Sequence, residues 1–382
     1  MTALLLAVCA AVILTYAGWQ LRNLWWWQRL PATEGLAAET GPFISVVVPY
    51  RNEGANLTRL LRSLAAQDYP RDRWELLLID DFSTDISRSG ALNAGAGEVA
   101  AAAMKVQTLA LADHYAEDAL VAHKKAALAL GIQRSSGEVI FTTDADCDLP
   151  PDLLRRLARS FRPDTEVVLG PVFNAPVVGF CAGFQALDLM AYQFLTGSSL
   201  AAGTPTLANG ACFAFRRRTF ERVGGYAGVD HLPSGDDVLL LHKFRAALSP
   251  AAFAWLETGV PVFTQPVVGW RALWMQRLRW AGKAGQYRAK ELEFAQALTF
   301  LCCLAVIALL FLALHLRSGA PLLLWLPKIA VDGLGLRAIA RRYGQTALLR
   351  WYPPTLLLYP FFLVAVGTAA LLGFRVGWKG RG

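Results

Sequence analysis

Three stretches of this chain carry no Asp, Glu, Lys or Arg and are each long enough to cross a bilayer, and their positions constrain everything else. They are residues 3–21 (ALLLAVCAAVILTYAGWQL), 294–316 (FAQALTFLCCLAVIALLFLALHL) and 353–373 (PPTLLLYPFFLVAVGTAALLG). At about 1.5 Å per helical residue, some 20 apolar residues match the hydrocarbon thickness. The spacing predicts an N-terminal anchor over 1–24, a water-facing domain over 40–290 and a membrane region over 294–374. With 55% hydrophobic and 17% charged residues and a mean hydropathy of +0.36, a disordered, fibrous or purely cytosolic chain is excluded.

The first run reads as an anchor and not a signal peptide. No Lys or Arg precedes it, whereas Arg22, Arg29 and the cluster Trp25-Trp26-Trp27 come after it, which places its C-terminal flank in the cytoplasm and the tryptophans in an interfacial belt. The expected location is a bacterial inner membrane, with the middle domain cytoplasmic. Residues 320–337 are apolar but carry Lys328 and Asp332, four apart on one helical face. They read either as a crossing with an internal ion pair or as a re-entrant segment, and Arg341, Arg342 and Arg350 tilt the reading toward a crossing. The net charge of +8 suits an anionic membrane surface, nucleic acid or phosphorylated small molecules alike. Six scattered cysteines without a CxxC pair argue against zinc or a disulfide framework and for free thiols.

Within the middle domain, 43–50 (FISVVVPY), 74–81 (WELLLIDD) and 138–146 (EVIFTTDAD) are short, nearly continuous apolar runs, as strands buried on both faces of a parallel sheet are. Helical patterns separate them, over 54–66 with Leu57, Leu60, Leu61 and Leu64 on one face, and over 116–135. This order predicts an α/β, doubly wound, mostly parallel sheet. Residues 90–97 read as a loop, and the chain as a whole reads as free of internal repeats.

In such sheets the ligand crevice lies beyond the carboxyl ends of the strands, and here acids gather there. The first strand ends in Pro49-Tyr50-Arg51-Asn52-Glu53, the second in Asp80-Asp81 and the third in Asp144-Ala145-Asp146. Neither GxGxxG nor GxxxxGK[ST] occurs, which removes dinucleotide and P-loop readings. Asp144 and Asp146 would share one side of an extended backbone and suit a hard divalent cation completed by phosphate oxygens; the plainer alternative is a turn capped by aspartates. Asp80 and Asp81 suit a base or ribose, or a capping turn with Ser83 and Asp85. Lys124 and Lys125 are a solvated helix face or a cation near a diphosphate, Lys124 being better placed. Asn209-Gly210-Ala211 enters a further strand over 213–218. Asp236 and Asp237 precede an apolar helical stretch, as helix caps or with one of them as general base. Gln276-Arg277-Leu278-Arg279-Trp280 reads as an interfacial helix or a cationic lid; similar patterns mark nucleic-acid surfaces, but nucleic acid is not the expected partner.

As an ordered set, VVVPYRNE, IDDFSTD, TDADCD, NGACFAFRR, SGDDVLLL and QRLRW resemble the membrane-bound family 2 glycosyltransferases, which include cellulose, chitin, hyaluronan and poly-N-acetylglucosamine synthases and ceramide glucosyltransferase-like enzymes. QRLRW fits their QxxRW, and the terminal Trp378-Lys379-Gly380-Arg381 is similar to a tail found in relatives. The resemblance implies a GT-A, Rossmann-like domain. It further implies Pro49, Arg51, Asn52, Glu53, Asp80, Asp81, Lys124 and Asp144 at the donor, Asp144 and Asp146 at Mg²⁺ or Mn²⁺, and Asp237 with Asp236 at the base position. Asn209 and Gly210 would face the acceptor, and Gln276, Arg277, Arg279 and Trp280 would close over it. Asp236 stands where many relatives carry Glu, and Ala126 where the lysine motif often has Gly. The reaction implied by the resemblance is inverting transfer from a nucleotide-sugar, UDP-sugar by family default, to a lipid or glycan.

A processive polysaccharide synthase is the alternative within the class, though two or three C-terminal spans leave little wall for a channel. A transporter using Lys328 and Asp332, or a silent scaffold, are the alternatives outside it; most of the chain lies outside the spans, and a transporter keeps its site at the midplane. The sequence carries no signal for oligomeric state.

Overall fold

The computed structural model describes residues 2–30, 41–85, 104–256, 259–282, 286–287 and 289–374. The loop expected at 90–97 and the tail Trp378-Lys379-Gly380-Arg381 lie outside them. The chain divides into two compact units, a sheet unit (Pro31–Ala175 and Gly203–Gln265) and a helical unit (Met1–Leu30, Pro176–Ala202 and Pro266–Gly382). Residues 176–202 and those from 266 onward, expected partly within the 40–290 domain, group with the apolar helices.

The strands of the sheet unit are β1 (Ile44–Tyr50), β2 (Trp74–Asp80), β3 (Val106–Ala110), β4 (Val139–Thr142), β5 (Cys147–Asp148), β6 (Val167–Leu169), β7 (Val172–Asn174), β8 (Phe213–Arg216), β9 (Phe253–Trp255) and β10 (Val262–Thr264). Seven form one sheet in the order β3-β2-β1-β4-β8-β6-β9, and a small sheet has the order β5-β10-β7. β1 to β4 are mutually parallel and β8 is antiparallel to both its neighbours, so the sheet is mostly parallel, as expected. All seven β2 residues are buried, which explains the apolar run Leu76–Ile79. The helix Gly54–Ala65 buries Leu57, Leu60, Leu61 and Leu64.

Two boundaries differ from the sequence reading. The helical pattern of 116–135 is a 3-10 turn, Glu117–Ala119, followed by a helix, His123–Arg134. β4 ends at Thr142, and Cys147 N–H donates to the Asp144 carbonyl at 3.1 Å. Asp144 and Asp146 thus sit in a turn, not on one side of an extended strand. In the helix His123–Arg134, Gly131 is the point of closest approach to the sheet. A Cβ there would fall 2.6 Å from Val47 and 2.7 Å from Ile79, so only glycine permits this spacing.

At the edge of the sheet away from the acidic ends, buried Glu75 accepts from Ser45 Oγ at 2.8 Å and from Ser136 N–H at 2.5 Å, and Lys105 Nζ lies 2.7 Å away. Burial opposes its charge, but the Lys105 ammonium and these donors hold its carboxyl down to about 2. A folded value below the ordinary one stabilises the protein above about pH 4.5, and that contribution fades as pH falls toward 2. Glu75→Gln should cost about 3 kcal/mol at pH 7, with the gap to wild type closing below pH 4.5 in thermal unfolding.

In the helical unit, Thr2–Trp27, Lys290–Leu316 and Thr346–Leu371 are long and apolar enough to cross a membrane. Cys9, Ile13, Tyr16, Cys302, Val306, Leu309 and Val331 form a shared core. The segment 320–337 becomes a 3-10 turn, Ala320–Trp325, and a helix, Leu326–Arg342, of 17 residues. Among the described residues that helix is not one of the three long and apolar enough to cross a membrane. Lys328 and Asp332 do meet, and Tyr16 Oη donates to Asp332 at 2.7 Å. Of the three belt tryptophans, Trp25 is exposed while Trp27 is buried against Phe194, with ring centroids 5.5 Å apart, because successive helical residues point in different directions. All six cysteines are unpaired.

The expectation of no internal repeat is wrong. PVFNAPVVGF at 171–180 and PVFTQPVVGW at 261–270 differ at three of ten positions. Their first halves pair as parallel β7 and β10, Val262 beside Val172, Phe263 beside Phe173 and Thr264 beside Asn174. A single short copy pair has none of the periodicity by which repeats are usually noticed.

Candidate active site

The parallel register sets Tyr50 beside Asp80 and Val47 beside Thr142, so the chain leaves β1, β2 and β4 at one edge. Asn52 (φ 53°) and Phe82 (φ 55°) hold left-handed backbone there, uncommon for residues other than glycine and concentrated at functional sites. Asn52 Oδ1 accepts from Thr84 N–H at 2.8 Å, and Asn52 N–H donates to Ser83 Oγ at 3.0 Å, tying the first two strand ends together. Asp80 accepts from Ser83 N–H at 3.2 Å, the capping turn weighed above. Arg51 pairs with Glu117 at 3.0 Å, and Pro49 is the penultimate residue of β1.

Asp81 is 1% exposed, and its carboxylate lies 2.9 Å from His123 Nδ1, whose ring meets Phe82 edge-on at 5.8 Å. Burial pushes Asp81 up to about 6, with His123 opposing. Sequence reasoning missed His123. The signal was available, since it is the first residue of the helix bearing both lysines, but a lone histidine is usually an ordinary packing residue.

Lys124 joins the two acidic motifs. Its ammonium lies 2.8 Å from Asp144 and 3.1 Å from Asp236; burial works against the charge, but these carboxylates hold its pKa well above the ordinary value. Asp237 caps the helix Val238–Ala247, accepting from Val238 N–H at 2.7 Å through one oxygen and from Gly210 N–H at 3.0 Å through the other. Asn209 Oδ1 accepts from Ala211 N–H at 3.0 Å. Asp144, Lys124, Asp236, Asp237, Asn209 and Gly210 are thereby brought into one network.

Asp146 accepts from Thr264 Oγ1 at 3.1 Å, and Arg59 donates to its backbone carbonyl at 2.8 Å. Burial, then the charges of Asp144 and Glu53, push Asp146 up to about 6. Among the described residues no three His, Cys, Asp or Glu side chains are arranged to hold a metal ion alone. A partly buried carboxylate at Asp146 with the Asp144 carboxylate two residues away nevertheless fits a hard cation whose remaining ligands are diphosphate oxygens.

Lys125 does something different from its neighbour. It is 2% exposed and donates to the carbonyls of Val229 (2.8 Å), Leu232 (2.6 Å) and Ser234 (2.9 Å), fixing the loop that leads into Asp236 and Asp237. Lys125→Met leaves three carbonyls without this donor. Any activity that depends on Asp236 and Asp237 should fall about tenfold or more through misplacement of the loop.

In the helical unit, Gly269–Ala281 carries Gln276, Arg277, Arg279 and Trp280. Arg277 is buried, with its Nε 2.5 Å from Asp188 and its guanidinium 4.2 Å over the Trp280 ring. Arg277, expected in a lid, is thus turned inward to Asp188 of the helix Gly179–Ala201. Gln276, Arg279 and Trp280 are partly exposed.

The sequence model of glycosyl transferase family 21 matches residues 2–382. The chain belongs to glycosyl transferase family 21. The resemblance to family 2 holds at the level of a family 2-type glycosyltransferase. Beta-monoglucosyldiacylglycerol synthase of Synechocystis sp. is 25% identical over 63% of this chain and 47% of its own length. Probable glycosyltransferase YdaM of Bacillus subtilis is 26% identical over 64% of this chain and 56% of its own length. This family 21 chain thus spans about half the length of these relatives. An undecaprenyl-phosphate 4-deoxy-4-formamido-L-arabinose transferase of Salmonella dublin is 34% identical over 30% of the chain and 32% of its own length. Among solved structures, the mannosyltransferase PcManGT of Pyrobaculum calidifontis, in complex with GDP-Man and Mn²⁺, aligns over 98% of both chains with a TM-score of 0.59 and 20% identity, a likeness of fold.

Proposed function

We propose that this glycosyltransferase moves a sugar from a nucleotide-sugar, taken as a UDP-sugar, to a lipid acceptor at the cytoplasmic face of a bacterial inner membrane, with inversion. The observation that carries the reading is the Lys124 bridge, which puts the Asp144 turn and the Asp236-Asp237 motif in one hydrogen-bonded network. Relatives named for diacylglycerol and undecaprenyl-phosphate chemistry support a lipid acceptor over a polysaccharide, and helices long and apolar enough to span a bilayer support the membrane location.

In this mechanism Asp237 takes the proton of the acceptor hydroxyl as its oxygen attacks the sugar C1, and the bond from C1 to the diphosphate breaks on the opposite face. The two amides that hold the Asp237 carboxylate fix its position and leave lone pairs for the proton. Lys124 lies where it can share its charge with the departing diphosphate. A Mg²⁺ or Mn²⁺, where bound, would be held by Asp144 and Asp146 and would supply further neutralisation of that leaving group. His123, Asp81 and Phe82 would line the nucleoside end.

The test is a panel of UDP- and GDP-sugars with Mn²⁺ and bilayer lipids, read by nucleoside diphosphate release and by mass of the lipid product. One donor should release diphosphate only when an acceptor lipid is present, adding a single sugar. A ladder of long polymer would establish the processive alternative, and silence across the panel would remove the reading.

A further inference from the structure

The two repeat copies end alike, in a Pro-Val-Val-Gly turn that exposes its second valine. Val178 and Val268, each immediately before a helix (Gly179–Ala201 and Gly269–Ala281), are 81% and 94% exposed. Gly179 and Gly269, next in the chain, have φ of 77° and 84°, backbone that glycine adopts without strain, while Pro176 and Pro266 restrict the chain just before. The turns are therefore stiff, and they adjoin. Phe180 and Trp270, equivalent residues of the two copies, have ring centroids 5.6 Å apart. Gln185 ties the helix of one copy to the turn of the other, donating to the Val267 carbonyl at 2.9 Å and accepting from Val267 N–H at 3.0 Å.

Their surroundings identify the medium they face. Phe180 lies 6.1 Å from Trp351, the residue before the apolar helix Tyr352–Leu371, and a side chain on Gly183 would collide with that indole at 2.3 Å. Phe184 meets Phe362 of the same apolar helix at 5.1 Å. Aromatic rings at the head of an apolar span, beside exposed Arg271, match the composition of a membrane–water boundary. Apolar prongs at that level gain nothing from water and gain from lipid.

We propose that the paired Pro-Val-Val-Gly turns dip into the lipid leaflet, both valines entering the boundary between head groups and acyl chains, and so hold the enzyme against the layer that supplies its acceptor. This rests on the membrane-seated reading above. Two identical turns resist rocking where one would act as a pivot.

The test uses the full chain with Cys181→Ser, the other cysteines being buried, and Val178→Cys or Val268→Cys carrying an environment-sensitive fluorophore in lipid nanodiscs. Nitroxide placed near the top of the acyl chain should quench both labels, and aqueous iodide should not, whereas a label at Asp118→Cys, an exposed site in the sheet unit, should behave oppositely. Iodide quenching equal to that control overturns the proposal. So does protection from both quenchers, which would signify a protein partner or a second copy. Val178→Asp with Val268→Asp should raise KM for a bilayer-presented acceptor about tenfold and leave KM for the nucleotide-sugar unchanged. Lipid quenching without any glycosyl transfer would count against the acceptor assignment and leave the turns' insertion standing.

Discussion

Asp237→Asn is expected to bind nucleotide-sugar within about twofold of wild type and to transfer the sugar at least about 100-fold more slowly, the usual loss for a general base. The amide can still accept one of the two backbone hydrogen bonds from Val238 and Gly210, but its NH₂ must face the other N–H. A modest fall in Tm should therefore accompany the kinetic loss. Asp236→Asn makes the companion experiment. Asp236 is 3.1 Å from the Lys124 ammonium, so its substitution should alter donor affinity and kcat together. Wild-type turnover by Asp237→Asn, with collapse of Asp236→Asn, would reassign the base to Asp236.

Asp146→Ala should abolish metal-dependent stabilisation by nucleotide-sugar and lower transfer by about three orders of magnitude. For the wild type, donor at a hundred times Kd should raise stability by about 2.7 kcal/mol if it binds only the folded state. The sign in the absence of metal and donor is the informative part. Asp146 is held up to about 6 by burial and by the charges of Asp144 and Glu53, so removing it relieves a buried, crowded carboxylate, and the empty protein should melt no lower than wild type. A purely structural aspartate predicts the reverse: lower Tm throughout, with the metal-dependent increment intact.

The architecture of the sheet unit was legible because burial on both faces leaves an unmistakable trace: β1 and β2 are nearly continuous apolar runs, broken only at Ser45 and Glu75, that end in polar residues. The acids of the site were legible for the same reason, as charge placed just after such runs stands out. Anything set by tertiary closure was not legible. The turn at Asp144 depends on one backbone hydrogen bond. The division of labour between Lys124 and Lys125 depends on which way adjacent helical residues point, one to carboxylates and the next to three carbonyls. Arg277 looked like its neighbour Arg279 until Asp188, 89 residues away, claimed it. The discontinuous sheet unit was hidden because Gly179–Ala201 comes after a strand as any crossover helix would, and only its packing among apolar helices reveals where it belongs.

The contact of Gly131 with Val47 and Ile79 bears on how this protein can change over time. The helix His123–Arg134 rests on its sheet through a hydrogen atom, with no slack for a methyl group. Lys124 and Lys125 stand about two turns away on the same rigid rod, so any residue that pushes the helix outward at 131 carries both ammonium groups with it. Tolerance to substitution should be lower at this silent apolar contact than at many charged surface positions. A mutational survey scored for activity would mark Gly131 as though it belonged to the active site, and a survey scored only for distance from the chemistry would overlook it.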